Sequence, residues 1–167
     1  MLNTSRKLRK QFIQFIDEHS TEELNTIPDG FKNNIIWNFG HSVVSHQKLC
    51  YQLSGVNPPV EEKWIEMFSK GTYPTRDLSS AEINELKAAG LQLIEQLDKD
   101  FAAGLFKSYK TFVTGIGVTI HTVAEAAELS VLHEAIHLGY AKCQKKIIDH
   151  QKKEECTKME NKEAISL

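Results

Sequence analysis

The sequence predicts an all-α protein folded as a four-helix bundle with long crossover connections. Apolar residues recur at helical spacing in four long segments, whereas signals for strands are scarce. Two of the connections between these segments are long, and the first is rich in proline and glycine, which argues against a bundle closed by tight loops. We therefore expect one helical-bundle domain over residues 1–150 and a polar C-terminal tail over residues 151–167.

The first two helices are predicted in the N-terminal third of the chain. Helix one is expected from about Thr4 to Leu24, where apolar residues line one face, and the turn signal IPDGF follows it. Helix two is expected from near Asn34 to just before Gly55. Its apolar face carries Trp37, His41, Val44 and Tyr51.

A long connection separates the second helix from the third. The stretch from Gly55 to Leu78 contains three prolines and is predicted to hold only a short helix, over EEKWIEMF. The third helix begins with a capping box formed by Ser79 and Glu82, in which each side chain accepts a hydrogen bond from the backbone N–H of the other residue.

The last long helix follows a second connection. There, TGIGVTI alternates small or polar residues with apolar ones, which indicates a short extended segment, and it lacks the pattern of a phosphate-binding loop. A second capping box, Thr122 with Glu125, opens the last helix, which is predicted to run to about His150. The tail beyond it is expected to be frayed or disordered at its end.

The composition of the chain excludes several classes of protein. The chain has 167 residues, of which 41% are hydrophobic and 25% are charged, as expected for a globular domain. A net charge of −2 and a pI near 6.4 argue against a nucleic-acid binder. No apolar run approaches the roughly 18 residues that span a bilayer, and the N-terminus lacks the apolar stretch of a signal peptide. Three cysteines without a C-x-x-C pattern indicate reduced thiols. We therefore expect a cytoplasmic protein that binds neither nucleic acid nor membrane.

The last helix carries a pair of histidines with metal-ligand spacing. In HEAIHLG, His133 and His137 lie four residues apart, about 40° around a helix, so both side chains leave the same face. Apolar and small residues share that face, so the pair is expected to point into the bundle. Two adjacent buried imidazoles without a ligand are costly, and a shared metal ion would satisfy them.

A third ligand is expected from the second helix, because catalytic zinc sites usually take three protein ligands and keep one position open. His41 is the best candidate, since it lies on the apolar face that a bundle can bring against the histidine pair. His46, about 140° around the same helix, is expected to face outward. Three imidazoles suit zinc, nickel, copper or iron.

The same segment also matches the zinc-peptidase pattern H-E-x-x-H, so a peptidase is an alternative. The longer metzincin form needs Gly and then His further along, where this chain has Tyr140 and Cys143. Glu134 lies at the flank of the histidine pair, where it would either reach a metal-bound water as a general base or face solvent. A different metal site is favoured over a peptidase.

Two segments of the chain resemble a known family. NNIIWNFGHSVVSHQKL, followed by TIHTVAEAAELSVLHEAIHLGYA, is similar to the DinB-like superfamily of four-helix-bundle metalloproteins. The family pattern is Trp-Asn-x-Gly-His on the second helix and His-x-x-x-His on the last. The resemblance implies a metal triad of His41, His133 and His137, a divalent ion such as zinc or nickel, and a homodimer. It also implies a reaction for some members, several of which join a low-molecular-weight thiol to an electrophile, while others have no known reaction.

The residues and the resemblance together predict a metal-dependent enzyme that acts on a small-molecule substrate. The three imidazoles would hold a divalent ion that activates a thiol or water nucleophile, and thiol S-transfer is favoured. Two alternatives stay open. One is a zinc hydrolase with Glu134 as its base, and the other is a non-catalytic bundle in which the ion only joins the second helix to the last.

Overall fold

A computed structural model describes the backbone of residues 2–165 and the side chains of residues 2–159. In chain order its α-helices and strands are α1 (Asn3–Asp17), α2 (Thr21–Asn25), α3 (Ile35–Cys50), α4 (Glu62–Phe68), α5 (Ser80–Ala102), β1 (Phe112–Val113), β2 (Thr119–Ile120) and α6 (Val123–Ile165). A short 3-10 helix, Gln52–Ser54, lies between α3 and α4. The four long helices α1, α3, α5 and α6 pack as a bundle, and long connections lead from α3 to α5 and from α5 to α6. The predicted all-α bundle with long crossovers is therefore confirmed.

Helix α3 is the central helix of the bundle. It packs most extensively against α6 and also contacts α1, α4 and α5. Every residue from Asn34 to Val44 is buried, so this half of α3 has no solvent-facing side. The sequence predicted a single apolar face, but packing on several sides buries polar residues of α3 as well.

The predicted first helix is two helices in the structure. Helix α1 ends at Asp17, and α2 begins after Ser20. The Ser20 hydroxyl accepts a hydrogen bond from the Glu23 backbone N–H, and the Glu23 carboxylate accepts one from the Ser20 N–H. This capping box starts a new helix and explains why the continuous helix predicted from Thr4 to Leu24 is wrong.

The connections contain most of the features that the sequence predicted. Helix α4 forms over the expected short segment, and Ser79 and Glu82 make the expected capping box. The second box is only half formed, because the Thr122 hydroxyl accepts from the Glu125 N–H while the Glu125 carboxylate accepts from His121 N–H. The predicted extended segment supplies the turn and second strand of an antiparallel hairpin, β1–β2.

Helix α6 continues far beyond its predicted end near His150 and reaches Ile165. Residues 151–165 contain neither proline nor glycine and are rich in lysine and glutamate, which favour helix without an apolar face. The division into a domain over residues 1–150 and a tail over residues 151–167 stays a prediction, and the fraying expected at the chain end concerns residues 166–167, which lie outside the described residues. Within residues 2–165, no helix combines the length and apolar character needed to cross a membrane.

Candidate metal centre

His41 is held on α3 by contacts on two sides of its ring. The ring stacks on Trp37, with centroids 4.6 Å apart and planes 7° apart. Its Nδ1 lies 2.7 Å from the backbone carbonyl oxygen of Phe68, at the end of α4. Because a carbonyl oxygen only accepts, Nδ1 carries the proton, and Nε2 is left with a free lone pair.

Gly40 allows the close approach of α4 that makes this hydrogen bond possible. A Cβ atom at this position would lie 2.6 Å from the ring of Phe68, too close for any real contact. Phe68 is itself buried, so its ring cannot swing aside into solvent. The absence of a side chain at Gly40 therefore lets Phe68 pack close to α3, where its backbone carbonyl orients His41.

His137 is oriented by a chain of buried amides. Its Nδ1 donates to Oδ1 of Asn38, at 2.7 Å. The amide of Asn38 is fixed in this orientation because its Nδ2 donates to the carbonyl of Asn34 at 2.9 Å and to Oε1 of Gln144 at 3.0 Å. Gln144 in turn donates to the carbonyl of Asn33. The lone pair of His137 is thus on Nε2, as in His41.

The structure brings the three predicted histidines together. The ring centroid of His41 lies 5.2 Å from that of His133 and 4.8 Å from that of His137. One ring nitrogen of each histidine lies within 4.8 Å of the corresponding nitrogens of the other two. Among the described residues, this is the one such group of three or more potential metal ligands.

The donor set fits a divalent cation. Nε2 of His137 lies 3.2 Å from Nε2 of His133, close to the edge of about 3.3 Å expected between two imidazole nitrogens on tetrahedral zinc. Nε2 of His137 carries a lone pair, so this short contact has two explanations. Either Nε2 of His133 is protonated and donates to it, or the two Nε2 atoms bind the same cation. The ligand nitrogen of His41 lies within 4.8 Å of those of His133 and His137.

Burial keeps the three imidazoles in the neutral form that binds metal. Burial first, and then the proximity of the other histidines of the cluster, lowers the pKa of His133 to about 4 and that of His137 to about 3. For His41, burial lowers the pKa more than the hydrogen bond to the carbonyl raises it, and the positive charges of Lys48 and Lys70 lower it further. All three side chains are therefore neutral at pH 7 without any metal bound.

Glu134 lies in the interior and is bound to an arginine. Its side chain is fully buried, and its two carboxylate oxygens accept hydrogen bonds from Nε and Nη2 of Arg9. Arg9 is equally buried and also donates to the carbonyl of Gly90 on α5. The carboxylate thus links α6 to α1 instead of facing solvent. Its action as a general base stays a prediction.

His46 was predicted to face outward, and this prediction is wrong. The residue is 2% exposed, because α3 is enclosed by neighbouring helices on that side too. Burial lowers its pKa to about 3. Its Nε2 has no hydrogen-bond partner among the described residues, so the side chain is a neutral imidazole of the interior.

Asn38 and Gln144 are the functional residues that sequence reasoning missed. Asn38 is the asparagine of the quoted WNFGH segment and lies about one turn before His41 on α3. Gln144 lies seven residues after His137, on the same side of α6. Tyr140 and Cys143, in contrast, are exposed, and neither belongs to the histidine cluster.

A comparison with protein families agrees with this geometry. The family model of the DinB superfamily matches residues 5–141, which include all three histidines and Asn38 but not Gln144. A search of curated proteins finds no match to this chain. Because the family model covers most of the sequence, the chain belongs to the DinB superfamily.

Proposed function

We propose that the protein is a metal-dependent thiol S-transferase. In this proposal His41, His133 and His137 hold a divalent ion, with zinc or nickel favoured. The observation that carries the proposal is the convergence of three neutral imidazoles, two of which are held in a fixed tautomer by hydrogen bonds from Nδ1 to an oxygen. Metal-ligating histidines usually donate their other ring N–H to an oxygen in this way.

The chemistry proposed is transfer of a thiol sulfur to an electrophilic carbon. A bound divalent ion would supply the lowered thiol pKa that gives a nucleophile at neutral pH. The sulfur–carbon bond forms, the leaving group departs with its electron pair, and the thiol proton passes to solvent. The protein's own residues orient the ligands, and Trp37 and Phe68 keep water from one side of His41.

The ion pair of Glu134 supports transfer over peptide hydrolysis. A zinc hydrolase needs a carboxylate that can take a proton from water. Both oxygens of Glu134 accept hydrogen bonds from Arg9 in the interior. Both carboxylate oxygens are thus already engaged by the Arg9 guanidinium between α6 and α1.

The metal content of the purified chain tests the site itself. We expect about one divalent ion per chain by elemental analysis, and His41→Ala should lose it. His121→Ala is a matched control, because His121 is exposed and lies outside the cluster. A wild-type chain without metal, or full metal content in His41→Ala, would remove the proposal.

Kinetics separate a transferase from a hydrolase. A panel of small thiols and alkylating electrophiles should react faster with the metal-loaded protein than with the chelator-treated one. Glu134→Gln and Arg9→Leu disturb the same ion pair, but only the first removes the carboxylate. If Glu134 is structural, both variants should change the rate alike, whereas a catalytic base predicts a loss of orders of magnitude in Glu134→Gln alone. Metal bound without any transfer across a broad panel would support the non-catalytic alternative.

We also propose a homodimer formed through one exposed apolar face of α6. This face consists of Leu132, Ala135, Ile136, Gly139 and Tyr140. Leu132, Ile136 and Tyr140 are 63%, 57% and 54% exposed. In an antiparallel pair of α6 helices with its two-fold axis at Ala135, each Glu128 lies opposite Lys142 of the second copy. This charge complementarity supports a self-paired interface.

A cytoplasmic location is proposed on the basis of the thiols and charge of the chain. Cys50, Cys143 and Cys156 are all free, as expected for a reducing compartment. The net charge of −2 gives no support to a nucleic-acid partner.

A further inference from the structure

A polar stripe on α3 leads away from the histidine cluster. Ser45 and Lys48 follow His41 by four and seven residues on α3, so both lie within about 40° of its direction around the helix. The Ser45 hydroxyl lies 3.3 Å from Nε2 of His41, the nitrogen that carries the lone pair. The stripe therefore begins on the metal-binding side of the histidine.

Lys48 is held close to the segment that orients His41. Its Nζ donates to Oγ of Ser69 at 3.4 Å, and Ser69 directly follows Phe68, whose carbonyl binds His41. The positive charges of Lys48 and of exposed Lys70 both act on His41. Lys70 follows Ser69 in the chain, so both cations lie at the end of α4 that orients His41.

The ammonium group of Lys48 has no anionic partner within the described part of the chain. Other lysines do pair with carboxylates, as Lys87 does with Asp17 at 2.5 Å. Lys48 is half-buried, so a missing counterion costs more here than on the surface. Its stripe borders a cleft of about 420 Å³, in which Glu62 is the one carboxylate, and no ion pair joins Glu62 to Lys48.

We propose that Ser45, Lys48 and Lys70 form an anion subsite beside the three histidines, so that the substrate is a small thiol bearing a carboxylate or similar anionic group. This inference rests on the proposed thiol chemistry. Lys48 lies two turns from His41, and its side chain leans back toward the start of the helix. A thiol sulfur at the histidines and an anionic group at Lys48 would therefore be separated by a few bonds.

Cobalt(II) provides a spectroscopic test that does not depend on turnover. The cobalt-loaded full-length protein is titrated with 3-mercaptopropanoate, with neutral 3-mercaptopropanol, and with propanoate, which lacks sulfur. We expect 3-mercaptopropanoate to bind about fivefold more tightly than 3-mercaptopropanol, the effect of one partly exposed charge pair. The preference should shrink at high salt.

Three variants test whether Lys48 causes the preference for 3-mercaptopropanoate over 3-mercaptopropanol. Lys48→Gln should abolish it, Lys48→Arg should retain it, and Lys63→Gln is a control because Lys63 already pairs with Glu85 outside the cleft. Equal cobalt content and circular dichroism verify that each variant is folded. Equal binding of the two thiols by wild type, or a preference that survives Lys48→Gln, would overturn the anion subsite.

Propanoate, which lacks sulfur, distinguishes a wrong anion subsite from a wrong proposal of thiol activation. If propanoate perturbs the cobalt spectrum in a Lys48-dependent way but neither thiol adds a sulfur band, the anion subsite stands and thiol activation is wrong. If both thiols add that band with equal affinity, thiol activation stands and the subsite is wrong.

Discussion

Replacing Asn38 should weaken metal binding although Asn38 touches no metal. Its Oδ1 accepts the hydrogen bond that fixes the tautomer of His137, at 2.7 Å. Loss of such a hydrogen-bond partner typically costs about 10–100-fold in metal affinity. Asn38→Ala should therefore bind zinc about 10–100-fold more weakly, equivalent to about 1.4–2.7 kcal/mol.

The same substitution should also destabilise the metal-free protein. It leaves Oε1 of Gln144 without its donor, and Gln144 is completely buried. A buried polar group without a partner costs about 1–3 kcal/mol, so the free energy of unfolding should fall by that amount. Asn38→Asp separates the two effects, because a carboxylate still accepts from His137 but no longer donates to Gln144. It should lose stability and keep most of its metal affinity.

Competition with a zinc-chelating dye measures the affinity, and urea unfolding of the metal-free protein measures the stability. Asn84→Ala, at an exposed position of α5, is the matched control and should change neither quantity. The reasoning is refuted if Asn38→Ala binds zinc as tightly as wild type, since His137 would then need no fixed tautomer.

Three further predictions follow from the packing, the buried histidines and the exposed face of α6. Gly40→Ala should lower the free energy of unfolding by about 1–3 kcal/mol, because the new Cβ collides with the buried ring of Phe68. Gly115→Ala is the control, since its Cβ meets no atom within 4 Å and should leave urea unfolding unchanged. The free energy of unfolding of the metal-free protein should fall as the pH drops from about 6.5 towards 4, because the unfolded chain then binds protons that His46 and the site histidines cannot bind when folded. Each of these histidines contributes up to about 1.4 kcal/mol per pH unit. In urea unfolding at a series of pH values, His46→Gln should reduce the slope of stability against pH by about one proton. Ile136→Lys places a charge in the proposed α6 interface and should convert the dimer to monomer in sedimentation equilibrium. Ile116→Lys, at an exposed position of the hairpin, is the control and should not. A monomeric wild-type protein would contradict the proposed interface.

The three histidines could be predicted because their signals are local. The spacing of His133 and His137 places them on one helical face, and His41 lies on an apolar face of its own helix. Helix boundaries marked by a capping box are also predictable from local sequence, as at Ser79. The break after α1 was missed although Ser20 gives the same local signal.

The residues that orient the histidines could not be predicted in the same way. The hydrogen bond from Asn38 to Gln144 joins positions 106 residues apart, and that from His137 to Asn38 joins positions 99 apart. His46 was misplaced for a related reason. Helical spacing gives an angle relative to His41, but only the number of neighbouring helices decides whether that angle leads to solvent or to another part of the interior.

The glutamate between the two histidines has a structural role in this bundle that the peptidase motif does not imply. In any helix the residue after the first histidine points about 100° away from it. In a site open to solvent on that flank, a carboxylate there can reach a water molecule. Here the flank of α6 packs against α1, and Glu134 meets Arg9 in the interior. A buried arginine without its carboxylate would cost several kcal/mol, so the presence of Arg9 on α1 is enough to favour an acid at this position. In this bundle the sequence H-E-x-x-H therefore combines two proposed metal ligands on one face of α6 with an internal ion pair on the next.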